Sequence, residues 1–397
     1  MSPKKSDSSR TATTIWHCLQ MIVWALPALA VWFTSYRVGR PHTAAIGRAA
    51  MDIDYFLKKQ ALGGYPNIKP IFFDKLHHGV NAALLRIWAP HVQVITNRFA
   101  YNLLRPFRFF PPVYIDFGPV AGIDGRPEPA AYQAIVNQWG HRPPIFQLPD
   151  EMRAEGHRAL RAMRVPEGAW FVPVHARDGF FAPAVEDRES YRNCDISNYS
   201  AAVDAIIARG GWCIRMGEKD SPGLPERPGL INYPETAFKS DWMDIFLCNQ
   251  ARFFLGNTSG LKIVSTISGV PCAAANMTPH DCVYGFLPAD ISIPKLLRLK
   301  DGTMPRFADI FASDFCGYHH AMPFADAGVT LIENTPQQIR DLATEMLDAL
   351  DGNAQQTSED EVRQETFRRL LTPRHHTYGT RSRIGSAFLR EYAHLLD

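Results

Sequence analysis

The clearest pattern of apolar and polar positions lies between residues 241 and 276. Trp242, Ile245, Phe246 and Asn249 share one face at helical spacing, with Met243 and Leu247 beside it. Phe253, Phe254 and Leu255 then form a short apolar run between Arg252 and Gly256, which predicts a buried strand. A small polar loop follows, Asn257-Thr258-Ser259-Gly260, and the spacing predicts a second helix over 261–267. Gly269-Val270-Pro271 ends that helix and releases another apolar run over 272–275. Helix, strand, loop, helix, strand is the repeat of a parallel α/β sheet. The polar loop sits between a strand's carboxyl end and a helix's amino end, where open α/β sheets bind ligands and free N–H groups suit an anion. A plain N-cap and turn would use the same residues without any ligand.

The same grammar extends in both directions. Upstream, helices are predicted over 51–59 and 81–88 and strands over 69–73 and 92–96. Proline punctuation at Pro111, Pro112, Pro127, Pro129, Pro143 and Pro144 suggests loops and a linker. Past a helix over 150–163, strands are predicted over 170–174, 212–216 and 230–232. A helix over 199–209, capped by Ser197 or Asn198 and stopped by Gly210-Gly211, separates the first two of these. Helices over 307–312, 335–350, 359–371 and 386–396 complete the chain, the second opening on Thr335-Pro336. The expected organisation is a tail and apolar helix over 1–36, a first α/β domain over 37–150, a second over 151–335, and helices over 336–397.

Residues 18–36 are almost wholly apolar, and as a helix they would reach about 28 Å against a hydrocarbon core of about 30 Å. Pro27 and Gln20 weaken a free-standing span, and Trp16, Trp24 and Trp32 suit an interface as well as an interior. Membrane anchoring and packing against the protein's own core are both open. A net charge of +2 gives no sign of a nucleic-acid partner. The seven cysteines are odd in number and scattered without a CxxC pair, against a disulfide framework or a zinc site. The pairs His77-His78, His319-His320 and His375-His376 lack a metal-ligand context and are taken as surface or packing residues; no metal site is expected.

Candidate chemistry sits at the predicted strand ends. The strand over 170–174 empties into His175-Ala176-Arg177-Asp178-Gly179. Arginine's planar fork suits phosphate oxygens, and a histidine there can contact a base; an Arg177–Asp178 ion pair capping the sheet explains the same residues. Arg215-Met216-Gly217 closes the next strand, so Arg177, Arg215 and Thr258-Ser259 would meet in one crevice if the strands are parallel. Asp244 is either exposed on the far face of its helix or held by a partner.

These residues carry a resemblance. His175-x-Arg177 after a strand, with Asp244-Ile245, Gln250-Ala251, Phe253 and Ser259, resembles the donor half of fucosyltransferase-like glycosyltransferases. A family of bacterial glycosyltransferases is closer still, through Arg37-Val38-Gly39, His175-Ala176-Arg177-Asp178, Tyr191-Arg192-Asn193 with Asp195, Ile214 to Gly217, Ser240-Asp241 with Asp244, and Thr258 to Leu261. The resemblance implies a GT-B arrangement: two Rossmann-like α/β domains facing across a cleft, here with an N-terminal apolar helix, the second domain holding a nucleotide sugar. It implies His175 and Asp244 near the base, Arg177 on the β-phosphate, and Thr258 and Ser259 on phosphate oxygens; Arg215, Gly217 and Gly260 are expected to line the same ligand-binding crevice. Asp178 stands where that pattern often has a second basic residue, which points away from GDP-fucose. Asp178 or Glu186 would serve as general base.

The expected function is inverting, metal-independent sugar transfer without a cofactor, in bacterial envelope or surface-polysaccharide assembly, on the cytoplasmic side of the inner membrane. The acceptor would be a glycan, a lipid-linked sugar or a protein. A carboxylate at Asp244 pairs better with guanine than with uracil, which favours a GDP-sugar. A non-catalytic nucleotide-sugar-binding or scaffold protein at the membrane is the alternative, and an epimerase a third.

Overall fold

The computed structural model describes residues 7–65, 67–74, 81–116, 130–180 and 186–396. His77, His78, Pro127 and Pro129 lie outside them. The chain divides into two units, residues 1–128 and 129–397.

The first unit runs α1 (Asp7–Trp32), β1 (Tyr36–Arg40), α2 (Ile46–Ala61), β2 (Lys69–Asp74), α3 (Ala82–Trp88), β3 (Val94–Thr96), α4 (Arg98–Leu104) and β4 (Tyr114–Asp116). Its four strands pair in parallel in the order β3-β2-β1-β4. Asn81 and Asn97 start α3 and α4 by accepting from the amides of Leu84 and Ala100 at 2.8 and 2.7 Å. Helix α1 is half docked. Ala28 is 3% exposed among Val38, Phe73, Phe107 and Val113, and Trp24 Nε1 donates to Leu103 O at 3.0 Å. The opposite face is turned outwards, with Ile22 and Leu26 at 72 and 77% exposure and Phe33, just past the helix, at 79%. The helix is thus neither a buried core element nor a free-standing rod.

The second unit opens with α5 (Ala131–Trp139), α6 (Asp150–Ala162), β5 (Phe171–His175), α7 (Glu186–Glu189), α8 (Ser200–Ala208), β6 (Trp212–Arg215) and β7 (Leu230–Asn232). It continues through α9 (Asp241–Gln250), β8 (Phe254–Gly256), α10 (Gly260–Ile267), β9 (Cys272–Met277), β10 (Ile291–Pro294) and β11 (Leu296–Arg298). It ends with α11 (Phe307–Ala312), α12 (Ala321–Asp326), β12 (Thr330–Ile332), α13 (Pro336–Leu350), α14 (Ser358–Arg368), β13 (Arg383–Ile384) and α15 (Ser386–Glu391). A seven-stranded parallel sheet runs β13-β10-β9-β8-β5-β6-β7. Helices flank the sheet, so its central strands β5, β8 and β9 are mostly apolar; all six residues of β9 are buried. Gly256 is needed where β8 meets β5, because a Cβ there would stand 2.6 Å from His175 O.

Several expectations are corrected. The division falls ahead of residue 150, because α5 packs with the second unit: Tyr132 meets Phe286 edge-on at 4.9 Å and Gln133 donates to Phe286 O at 3.1 Å. Neither Ser197 nor Asn198 caps α8; Asp195 instead accepts from Ser197 N at 2.8 Å and starts a 3-10 turn, Ile196–Tyr199, that leads into the helix. The final helix breaks into α15 and a 3-10 turn, Ala393–Leu395. Elements β1, α4, β4, α5, α7, β10, β11, α12, β12 and β13 carried no sequence expectation.

Candidate donor site at the carboxyl edge of the second sheet

The order of the large sheet locates the site. From β5 the chain builds outwards through β6 to β7, then α9 carries it back to lay β8 on the other side of β5, followed by β9 and β10. The direction of winding reverses between β5 and β8. At such a reversal the loops leaving the two strands diverge to opposite faces and open a crevice beyond their carboxyl ends. His175-Ala176-Arg177-Asp178 leaves one of these strands and Asn257-Thr258-Ser259 the other. Asn257 ties the two loops together: its Oδ1 accepts from Arg177 N at 3.0 Å and its Nδ2 donates to Arg192 O at 2.7 Å.

Arg177 does not pair with Asp178. Its guanidinium donates to Asn193 Oδ1 and lies 3.6 Å from Glu186, whose other oxygen accepts from Asn193 Nδ2. Asp178 turns back on its own loop and accepts from Phe180 N at 3.1 Å. Burial and then the neighbouring Arg192 lower the Arg177 pKa, against Glu186 and Glu189. Lys295, beyond the end of β10, donates to Asn193 O, and burial lowers its pKa as well. The loop therefore gathers cations that are less comfortable than they would be in water.

Arg215 ends β6 beside β5 and is 2% exposed. One terminal nitrogen donates to Pro222 O, while Nε and the second terminal nitrogen are buried without a partner. An orphaned guanidinium nitrogen is costly, and unfilled donors of this kind call for a missing acceptor. Gly217 lies alongside at φ +150°, and a Cβ there would touch the Arg215 guanidinium at 3.5 Å.

His175 faces Met216 O at 3.5 Å through Nδ1. Burial pushes its pKa down to about 4, with Arg215 and Lys239 also opposing its charge and Asp178 favouring it, so the ring is neutral at physiological pH. Asp244 is held rather than exposed: Lys239 Nζ bonds Oδ2 at 2.6 Å. Burial raises its carboxyl to about 6, against the pull of Lys239.

The polar loop after β8 is partly occupied by its own fold. Thr258 Oγ1 donates to Thr278 O at 2.9 Å, towards β9 and away from β5. Ser259 caps α10 by accepting from Lys262 N at 3.3 Å, and Gly260 is the first residue of that helix. The Ser259 proton and the first amides of α10 are what this loop can offer an anion. Sequence reading missed Asn257, Lys239 and Lys295 as contributors; an Asn directly after a strand was the one available signal.

In the first unit, Arg40 at the end of β1 bonds Asp74 Oδ1 at 2.8 Å, and Thr43 Oγ1 donates to Asp74 Oδ2 at 2.6 Å. The strand Tyr36–Arg40 carries the Arg37-Val38-Gly39 motif, and it too lies at a winding reversal, between β2 and β4.

No protein-family model and no curated relative matches the chain. Among solved structures it is similar to the glycosyl transferase family 9 protein of Veillonella parvula, at 15% identity and a TM-score of 0.32, covering 59% of this chain and 79% of that one. It is also similar to ADP-heptose LPS heptosyltransferase II of E. coli, at 12% identity and a TM-score of 0.31, over 59% and 83% of the two chains. The iron-containing dodecameric glycosyltransferase TibC of enterotoxigenic E. coli matches at 13% identity and a TM-score of 0.35, over 60% and 57%. Similarities this low assign no residue, substrate or assembly to this chain, and none of the three is named as a fucosyltransferase.

Proposed function

We propose that the chain is a glycosyltransferase whose second unit holds a nucleotide diphosphate-sugar at the β5/β8 reversal, acting in bacterial envelope or surface-polysaccharide assembly. The observation that carries this reading is Arg215, buried at the sheet edge with two guanidinium nitrogens unfilled beside the Arg177 loop. As the bond from the anomeric carbon to the β-phosphate oxygen breaks, its electron pair goes to that oxygen. Guanidinium groups fixed in a dry crevice stabilise the charge that develops there. The acceptor hydroxyl forms the new bond from the opposite face, with inversion, and gives its proton to Asp178 or Glu186. An incoming phosphate would take over Arg177 from Glu186, freeing that carboxylate. Neutral His175 and Asp244 would read the base, and guanine's N1–H and N2–H suit the carboxylate best.

The test is turnover of GDP-, UDP-, ADP- and CMP-sugars by the wild type and by Arg215→Lys, which keeps the charge but loses the fork. Turnover by the wild type and a loss on the order of 100-fold in the variant are expected. Tight nucleotide-sugar binding with neither transfer nor release of nucleotide would move the chain to the binding or scaffold reading.

Membrane association belongs to the same proposal. The stretch Ile15–Trp32 is long and apolar enough to cross a bilayer, with only 6% of it buried. Because Trp24 and Ala28 face the first unit while Ile22 and Leu26 face outwards, the geometry suits a helix lying in the interface rather than crossing it. Exposed Phe99 and Leu103 of α4 extend the same apolar character. The cytoplasmic face of the inner membrane, where nucleotide sugars are available, is the proposed location.

A further inference from the structure

Two of the three histidine pairs set aside at the sequence level contribute to one cluster. His319 Nε2 lies 3.0 Å from Asp281 Oδ2, and His376 Nε2 lies 3.7 Å from the same oxygen. The three ligand atoms all fall within 4.8 Å of one another. They come from distant parts of the second unit: the 3-10 turn His280–Cys282 after β9, the segment before α12, and the segment after α14. No local spacing joins them, which is why sequence reading found no ligand motif.

The arrangement is supported from behind. Thr377 donates from both its amide and its hydroxyl to Asp281 O, at 3.4 Å each, so the backbone next to His376 is tied to that of Asp281. Tyr318, next to His319, packs edge-on against Phe315 and Phe324 at 5.8 and 5.2 Å. Cys282 Sγ donates to the other Asp281 oxygen, Oδ1, at 3.1 Å, which leaves Oδ2 facing the two histidines. The Asp281 side chain is 9% exposed, while His319 and His376 are 44 and 26% exposed, so the cluster is open to solvent on one side.

We propose that Asp281, His319 and His376 form a binding site for a divalent ion of the zinc class, which clips the segment before α12 and the segment after α14 to the carboxyl end of β9. Ligands at about 2.0–2.1 Å from a tetrahedral ion stand roughly 3.3 Å from each other, and the two Asp281–histidine separations bracket that value. Two imidazole nitrogens select against Mg²⁺ and Ca²⁺, which take oxygen ligands. Water completes the coordination on the solvent side. The ion braces the fold, and no step of sugar transfer runs through it.

The experiment uses the full chain, stripped with a chelator and dialysed. Zn²⁺ and Mg²⁺ are titrated by calorimetry, and Co²⁺ by the visible d–d absorption that reports a tetrahedral site. One equivalent of Zn²⁺, a tetrahedral Co²⁺ spectrum and no Mg²⁺ heat are expected, with a higher Tm in Zn²⁺ because the ion binds the native state. His319→Ala and His376→Ala should each weaken Zn²⁺ by at least about tenfold, since even groups that only support a ligand have effects of that size. His320→Ala, at the neighbouring residue, should bind Zn²⁺ like the wild type. Because both histidines are partly exposed, circular dichroism should show each variant folded. The proposal is overturned if the folded wild type takes up no stoichiometric Zn²⁺. It is overturned equally if His319→Ala binds as the wild type does, or if His320→Ala loses binding to the same extent.

Discussion

Arg177 is where a single side chain separates the two readings of the donor loop. It lies in the loop beyond β5, outside the apolar core, and its partners Asn193 and Glu186 also bond each other, so the fold should survive its removal. Arg177→Ala is expected to lower kcat/KM by the equivalent of about 2–4 kcal/mol while the melting curve stays near that of the wild type. Donor turnover at the wild-type rate would remove its role as a phosphate clamp. Asp244 tests the base. Asp244→Asn should weaken GDP by about 1–3 kcal/mol, the range for a hydrogen bond to a charged group, and calorimetry with GDP and UDP measures it. Equal affinity in variant and wild type would end the base-reading role. His175 has a signature in pH. Its folded pKa of about 4 lies below the unfolded value of about 6.5, so the unfolded state binds more protons between those two values. Stability from this residue is therefore full above about pH 6.5 and is lost as pH falls, levelling off near pH 4 after at most about 3 kcal/mol. Asp244, raised to about 6, acts in the opposite direction over nearly the same window. The comparison of His175→Asn with the wild type isolates the histidine: urea unfolding from pH 7 to pH 4 should show a flatter decline in the variant, and parallel curves would place the ring in water.

At the scale of elements, what was legible depended on whether one element filled one pattern. β5, β8 and β9 were readable because parallel strands covered on both faces leave unbroken apolar runs, and α13 because Thr335-Pro336 opens an amphipathic stretch, to whose start the structure adds a capping box of Thr335 and Gln338. β10 was not, since Ile291-Ser292-Ile293-Pro294 alternates and ends on a proline, which argues against a central strand. α4 and β4 were hidden in an aromatic-rich stretch with no clean period. Helix α1 was read as apolar, but its two faces have different destinations. Removing it entirely would uncover Val38, Phe73 and Phe107, so truncation mixes membrane release with damage to the first unit. Ile22→Glu combined with Leu26→Glu changes only exposed positions. That pair should move the full chain from the membrane pellet to the supernatant, with stability within about 0.5 kcal/mol per site. If the double variant still pellets with vesicles, the α1 face is not what meets the membrane.

Across the whole molecule, the meeting of Arg177, Arg215 and Ser259 on one edge was conditional on parallel pairing, and the strand order supplies that condition. It also adds what no local pattern holds: the reversal between β5 and β8, which depends on α9 returning the chain past a strand already in place. The His319–Asp281–His376 cluster was out of reach for the same reason, since only the fold joins those segments. The proposed donor site divides the labour between the units, and that proposal has a measurable consequence. If the donor is held entirely within residues 129–397, nucleotide should stabilise that unit and leave the first with its own opening energies. At a ligand concentration of about 100 times Kd the linked stabilisation is about 2.7 kcal/mol, a hundredfold slowing of any amide that exchanges only through global opening of the bound unit. Hydrogen exchange with and without GDP should therefore show slowing in β5, β6, β8 and β9 and in the amides that start α10, with β1 to β4 unchanged. Slowing confined to the first unit would put the nucleotide at the Arg40–Asp74 edge and reverse the assignment of the two sheets.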